Sequence, residues 1–182
     1  MSSLVLAGDT SGSITVSAPA VAGTQTLTLP AASGTVMVSG NMPAFSAYGA
    51  NVQSIPTNSL VKLQFNTKQF DTNTNYDATT NYRFTPTVAG YYQVNACVAL
   101  NMVTGNGVCY IFKNGSPYFT GTYAAGTANI GNYISVSVSS LVYCNGTTDY
   151  LESYVYQSNG SNVNTGNSSS NFNFNGSLVR GA

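Results

Sequence analysis

The chain reads as an all-β protein, a sandwich or jelly roll of antiparallel strands, and three observations carry that reading. Apolar and polar residues alternate with period 2 through most of its 182 residues, in stretches rich in Val, Thr, Tyr and Ile. Gly and Asn break the alternation at strand-length intervals. Helical patterning is missing: nowhere do apolar residues recur at i, i+3, i+4 and i+7 over three turns, and Glu, Lys, Arg and Leu are scarce.

The first part, residues 1 to about 42, holds three short extended pieces: "SITVSAP" (13–19), "TLTLPA" (26–31) and "TVMVSG" (35–40). Each offers a small apolar face: Ile14 and Val16, Leu27 and Leu29, Val36 and Val38. An isolated strand this short cannot bury enough surface to offset its ordering entropy. The segment is either a loose tail or is ordered against other copies or a docking partner. The threefold recurrence of the pattern favours docking or intertwining.

From Pro43 onward the pattern is that of one globular β domain. "SLVKLQF" (59–65) reads as a strand with Leu60, Lys62 and Gln64 on one face and Val61, Leu63 and Phe65 on the other. "FTPTVAGYYQVNACVALNM" holds a corner through Pro86 and Gly90, then a long strand. "GVCYIFKNGSPYFTGTY" (107–123) is a hairpin, with Asn114-Gly115 supplying the positive-φ turn. "NYISVSVSSLVYC" (132–144) alternates regularly and leads through Asn145-Gly146 to "DYLESYVYQ" (149–157). Residues 158–171 are low in complexity and read as a polar loop, and "NFNFNGSLV" (171–179) is the closing strand. Strands and turns at this spacing belong to a sandwich or jelly roll.

Charge is the compositional anomaly: 5% of residues, against about 25% in average soluble chains. The ten charges cancel, and His and Trp are absent. A surface with so little self-repulsion fits a chain that lives in an assembly. Five scattered basic residues, Lys62, Lys68, Arg83, Lys113 and Arg180, form no phosphate-neutralising patch, so nucleic acid is not an expected partner. No apolar run reaches the roughly 18–20 residues of a membrane span. The start, "MSSLVLAGDTSG", lacks the basic region and apolar length of a secretory signal, so the expectation is a chain made in a cytoplasm.

Catalytic chemistry has little to stand on. Without His, a serine or cysteine triad of the usual kind has no base, and neither a Gly-x-Ser-x-Gly elbow nor a P-loop occurs. Asp71 with Asp77, and Asp149 with Glu152, read as solvated turn residues rather than a glycosidase pair. In "DTNTNYD" (71–77), Asp71, Asn73, Asn75 and Asp77 alternate like calcium ligands but lack the Gly and bidentate Glu of an EF-hand. No catalytic residue, metal or cofactor is expected. Cys97, Cys109 and Cys144 match neither a disulfide framework nor a zinc site and read as small core or interface residues. Of five Asn-x-Ser/Thr sequons (Asn114, Asn145, Asn159, Asn167, Asn175), four are Asn-Gly-Ser/Thr, which turn chemistry alone produces.

The run "FNTKQFDTNTNYDATTNYRFTPTVAGYYQVNACV" resembles the C1q-like domain, the trimeric jelly roll of complement C1q that is related to tumour necrosis factor. The matching residues are Phe65, Asp71, Tyr76, Phe84, Gly90 and Tyr92. "Ala-Phe-Ser-Ala" at 44–47, Lys113-Asn114-Gly115, and Phe174, Gly176 and Leu178 extend the likeness over about residues 43–182. The gap between Tyr76 and Phe84 is one residue longer than the family's, and Val94 and Ala96 replace aromatics, which marks a divergent member. "SAPAVAGTQTLTLPAASGTVM" is similar to the starts of bacteriophage tail and fibre proteins. The resemblance implies a homotrimeric jelly roll of about ten antiparallel strands at 43–182, fused to a docking or intertwining β segment at 1–42. It implies a non-enzymatic virion protein assembled in the host cytoplasm: a short fibre, or a capsid or tail decoration anchored by its N-terminus to other proteins of the virion. The alternative is an adhesin head recognising host-surface glycan or protein with its loops, those around 121–131 and 158–171.

Overall fold

A computed structural model of the chain describes residues 3–28, 31, 34, 36–126 and 133–182. It divides into two compact units, Met1–Gly34 and Thr35–Ala182.

The first unit contains one hairpin. Strand β1 (Ser3–Ala7) pairs antiparallel with β2 (Ser13–Ser17), Leu4 opposite Val16 and Leu6 opposite Ile14. The turn closes where the Gly8 amide donates to the Gly12 carbonyl at 3.0 Å. Among the described residues, only the first of the three expected extended pieces is a strand, and its partner is "SLVLA". The described parts of 26–31 and 35–40 are irregular, and Leu29 lies outside the described residues. Two or three apolar residues hold a strand only when a neighbouring segment completes the ladder, and the glycine-bounded turn provides that for 13–17 alone.

The second unit is a sandwich of thirteen strand pieces, four of them two-residue stubs. Its elements are β3 (Ala44–Tyr48), β4 (Ser54–Ile55), β5 (Leu60–Lys62), β6 (Thr67–Asp71), β7 (Tyr76–Asp77), β8 (Arg83–Phe84) and β9 (Gly90–Leu100). They continue with β10 (Asn106–Lys113), β11 (Ser116–Ala125), β12 (Ile134–Cys144), β13 (Leu151–Gln157), β14 (Val163–Asn164) and β15 (Phe172–Gly181). One sheet runs β12-β9-β15-β3-β6; the other runs β11-β10-β13-β8-β7, with β5 also on β13. Every pairing is antiparallel. The one helical turn among the described residues is a 3-10 turn at Ser39–Asn41, and no described helix is long and apolar enough to cross a membrane.

Alternation places the core. In β9, Tyr92, Val94, Ala96 and Val98 point inward, met by Val136, Val138 and Val142 of β12 and by Phe172, Phe174 and Leu178 of β15. Opposite them lie Cys109 and Ile111 of β10, and Leu151 and Val155 of β13. The β10–β11 hairpin turns at Asn114 and Gly115, with φ of 53° and 75°, the two positive values that a tight hairpin turn needs. Residues 158–171 are more ordered than an expected polar loop. β14 pairs with β4, and buried Val163 and Thr165 fasten this stretch to the body.

Candidate functional site

The six residues that carry the family pattern lie within one corner of the sandwich. Phe65, Phe84 and Tyr92 are fully buried and Tyr76 nearly so. They join Phe45, Phe172 and Phe174 in an aromatic cluster spanning the two sheets. Phe45 stacks on Phe84 with ring centroids 4.2 Å apart, and Tyr92 meets Phe84 edge-on at 5.5 Å. Both tyrosine hydroxyls tie down backbone: Tyr92 donates to the Val88 carbonyl at 2.6 Å, and Tyr76 to that of Phe65 at 3.2 Å. Burial pushes both phenols well above their ordinary pKa, so they remain neutral donors. Gly90 admits the last strand, since a Cβ there would lie 2.4 Å from the Arg180 carbonyl oxygen. Asp71 organises the loop beneath, accepting from the amides of Asn75 and Tyr76 and pairing with Lys68 at 3.2 Å. The Tyr76 and Tyr92 hydroxyls and the Asp71 carboxylate are thus each engaged by neighbouring backbone, and Asp71 also by Lys68.

The other head acids are committed in the same way, and most are buried rather than solvated. Glu152, 3% exposed, pairs with Lys62 at 2.6 Å. Asp149 pairs with Lys113 at 2.9 Å and accepts from Asn114 and Asn145; the Asn114 side chain first, then Lys113, hold its carboxyl below the usual range. Asp77 caps the turn that follows it, and the amides of Thr80 and Thr79 hold it well below that range. Asp71 and Asp77, which alternate with Asn73 and Asn75 in the sequence, thus organise two separate turns.

The outward face of the five-stranded sheet is a different surface. Register puts Tyr143 beside Tyr91 and Arg180 at one end, then Leu141, Gln93, Ser177 and Ala44. The next rows are Ser139, Asn95, Asn175, Ser46 and Phe70, then Ser137, Cys97, Asn173 and Tyr48. The three rows beyond the end carry no charge. Across them runs a chain of side-chain hydrogen bonds. Gln93 donates to Ser139 (2.9 Å), Ser139 to Asn95 (2.8 Å), Asn95 to Asn175 (3.1 Å) and Asn175 to Asn173 (3.4 Å). A shallow depression of about 290 Å³ opens in the same face between Phe70 and the amides. At the end, Tyr91 and Tyr143 lie 5.4 Å apart with exposed Leu141 and Val179 nearby. Individual Asn and Ser residues gave no hint of this network in the sequence; only the register brings them together.

The outward face of the other sheet carries both aromatics and charge. Phe112 stacks on Tyr154 at 4.0 Å, Tyr110 packs edge-on against Phe112, and Arg83 lies 4.3 Å over the Tyr150 ring. The Lys62–Glu152 pair sits beside these rings, so this face carries charge where the middle rows of the other carry none.

Of the residues expected to dock or intertwine, Ile14 and Val16 are exposed on the hairpin, and Leu27 is exposed in irregular chain. Val36 and Val38 belong to the second unit and point outward, while Met37 between them packs on the core. Cys109 and Cys144 are buried and their thiols pushed up to about 12, and half-buried Cys97 is raised as well.

The head is a jelly roll of the tumour necrosis factor type. It is similar to solved structures of that class at low sequence identity. Murine APRIL superposes with a TM-score of 0.58 at 10% identity, over 76% of this chain and 99% of its own. Eiger TNF from S. frugiperda gives 0.56 at 9%, over 78% and 95%. The vertex protein P5 of phage PRD1 gives 0.52 at 16%, over 78% and 98%. No protein-family model matches the chain, and no curated protein matches it.

Proposed function

We propose that the protein is a non-enzymatic structural component of a bacteriophage virion, a homotrimeric fibre or decoration protein of C1q-like type whose N-terminal segment engages other virion proteins. The observation that carries this reading is the segregation of charge. The middle of the five-stranded sheet's outward face holds amides, hydroxyls, Leu and Tyr and no ion, which is the composition of a buried interface core. Three such faces around an axis account for a chain that is 5% charged. The phage-like character of residues 17–37 supports the virion setting, as does the fold shared with a phage vertex protein.

Asn95→Asp tests it at constant shape. In one copy the new carboxylate still accepts from Ser139 and, once the Asn175 amide turns over to donate, from Asn175, whereas at a threefold interface three charges lose water. Light scattering should read three times 18.9 kDa for the natural chain and one copy for the variant at neutral pH, with trimer regained as the carboxylate protonates. Thr120→Glu, exposed on β11 of the other sheet, should leave the trimer intact. A natural chain that scatters as a monomer would sink the reading.

A second reading, an adhesin head, is favoured by the half-exposed Tyr110, Tyr154 and Tyr156 on the six-stranded sheet, since rings with a polar tip suit recognition. The loop expected to serve it around 121–131 lies partly outside the described residues. Binding of the purified chain to bacterial cells, lost in Tyr154→Ala without loss of trimer, would establish that role.

A further inference from the structure

We propose that the hairpin of residues 3–17 is a self-association element in its own right, its aliphatic face covered by the same face of the other copies in the trimer. The inference rests on the trimeric reading of the head and adds a contact outside it.

Cross-strand register sets Leu4 against Val16 and Leu6 against Ile14, so all four side chains share one face. The opposite face carries Ser3, Val5, Ala7, Ser13, Thr15 and Ser17, small or hydroxylated residues except Val5. The ribbon is therefore amphipathic, yet every residue of it is exposed. A lone two-stranded ribbon is at best marginally stable in water, and this one presents its aliphatic side uncovered.

Area and charge select the occupant. The four side chains are 51–69% exposed, which leaves on the order of 400 Å² of contiguous aliphatic surface per copy, the size at which a patch marks an interaction site. Two copies face to face would remove roughly 800 Å², short of the ~1,200 Å² of a specific interface, and three copies reach it. The face has no charge or hydrogen-bonding side chain to be matched, and the hairpin's one ion, Asp9, lies in the turn. Like faces can therefore meet without a buried unpaired group. Covalent attachment to a trimeric head keeps three copies of the hairpin in one molecule, so a weak contact suffices. The pairing of Leu4 and Leu6 with the expected Ile14 and Val16 makes two complete apolar layers within the hairpin, without Leu27, Leu29, Val36 or Val38.

The chain contains no Trp, so Leu6→Trp and, separately, Val16→Trp each place a single indole on the face of the full-length protein. The expected result is blue-shifted emission with poor quenching by acrylamide. Adding Ile14→Asp should convert this to the emission of a water-exposed indole while light scattering still reads three copies. A water-exposed indole in both single variants, within a chain that remains trimeric, overturns this proposal and leaves the head reading standing. So does an indole that becomes buried only in assembled virions, which would mean that a different virion protein covers the face. A monomeric natural chain overturns the trimeric head first and this proposal with it.

Discussion

Truncating Phe45 to Ala is expected to be the most damaging single change in the head. Phe45 is 1% exposed and sits where three aromatic contacts converge: Phe84 at 4.2 Å, Phe174 at 5.0 Å and Tyr76 at 5.1 Å between ring centroids. Phe84 and Tyr76 come from one sheet and Phe174 from the other, so the ring joins the two layers. Removing a buried Phe costs about 3–5 kcal/mol through lost transfer energy and the cavity left behind. Each ring pair adds about 0.5–1.5 kcal/mol beyond area, which puts this site at the upper end of that range. For a domain of this size each kcal/mol moves Tm by roughly 2–4 °C, so a fall of about 10–20 °C is expected. Urea unfolding followed by circular dichroism, with calorimetry beside it, reads the change. Protein concentration must be held fixed, because an assembly's apparent stability depends on it. Phe119→Ala is the control: its ring is 47% exposed on β11 of the other sheet, and a loss below about 0.5 kcal/mol is expected for an exposed site without special contacts. Equal losses at Phe45 and Phe119, or a Phe45→Ala cost under about 1.5 kcal/mol, would refute this account of the core.

Stability should be flat from about pH 5 to pH 8, because no His is present to titrate there. On the acid side Asp149 and Asp77 have lowered pKa values, so their contribution is complete above the ordinary carboxylate value near 3.9 and is lost as pH falls through the lowered ones. On the basic side Cys109 and Cys144, pushed up to about 12, contribute fully below the ordinary thiol value near 8.5 and lose that contribution as pH rises towards 12. A calorimetric step centred near pH 6.5 would contradict this. Lys62→Met should cost about 1–3 kcal/mol: it leaves the Glu152 carboxylate buried without its cation, and the partial exposure of Lys62 moderates the loss. Glu152→Gln should cost less, and chemical denaturation of the two variants checks the order. Dissociation of the proposed trimer should change little from about 0.05 to 0.5 M NaCl, since the middle of the face holds no ions for salt to screen. Dissociation that rises steeply with salt, followed by light scattering, would point to an ionic interface instead.

The head was legible in the sequence because β patterning is local. Alternation in 90–100 and 134–144 fixes which side chains turn inward, and Asn114-Gly115 fixes a turn that needs two positive φ values. The outward rows were not legible, because they depend on register between strands far apart in the chain. Asn95 and Asn175 become hydrogen-bonded neighbours only after β15 returns to lie beside β9. The acids misled for a related reason. Asp149 and Glu152 looked like solvated turn residues, but their partners Lys113 and Lys62 arrive from distant strands and allow them to be buried. In the N-terminal segment, of three similar stretches of alternation the described residues hold a strand at 13–17 alone, where "SLVLA" completes the ladder.

The scarcity of charge therefore has a location. Three of the nine ions of residues 35–182 are carboxylates paired with lysines, and these pairs hold the edge strand, the outer sheet and the end of the sandwich. Such pairs fix loops at little net gain in stability. None is placed in the middle rows of the five-stranded sheet's outward face, where an amide chain stands instead. Amides suit a face that must be tolerable in water as a single copy and tolerable out of water once assembled. Each has donors and an acceptor that neighbours can satisfy, and none carries a charge whose desolvation would oppose assembly. A purely aliphatic face would bury more strongly but would expose each newly made copy to indiscriminate association. The head sets amides and hydroxyls through the middle rows of this face, with the Tyr91–Tyr143 pair at one end and Tyr48 in the row farthest from it. The hairpin reverses the choice, with four aliphatics gathered on one face of a small ribbon.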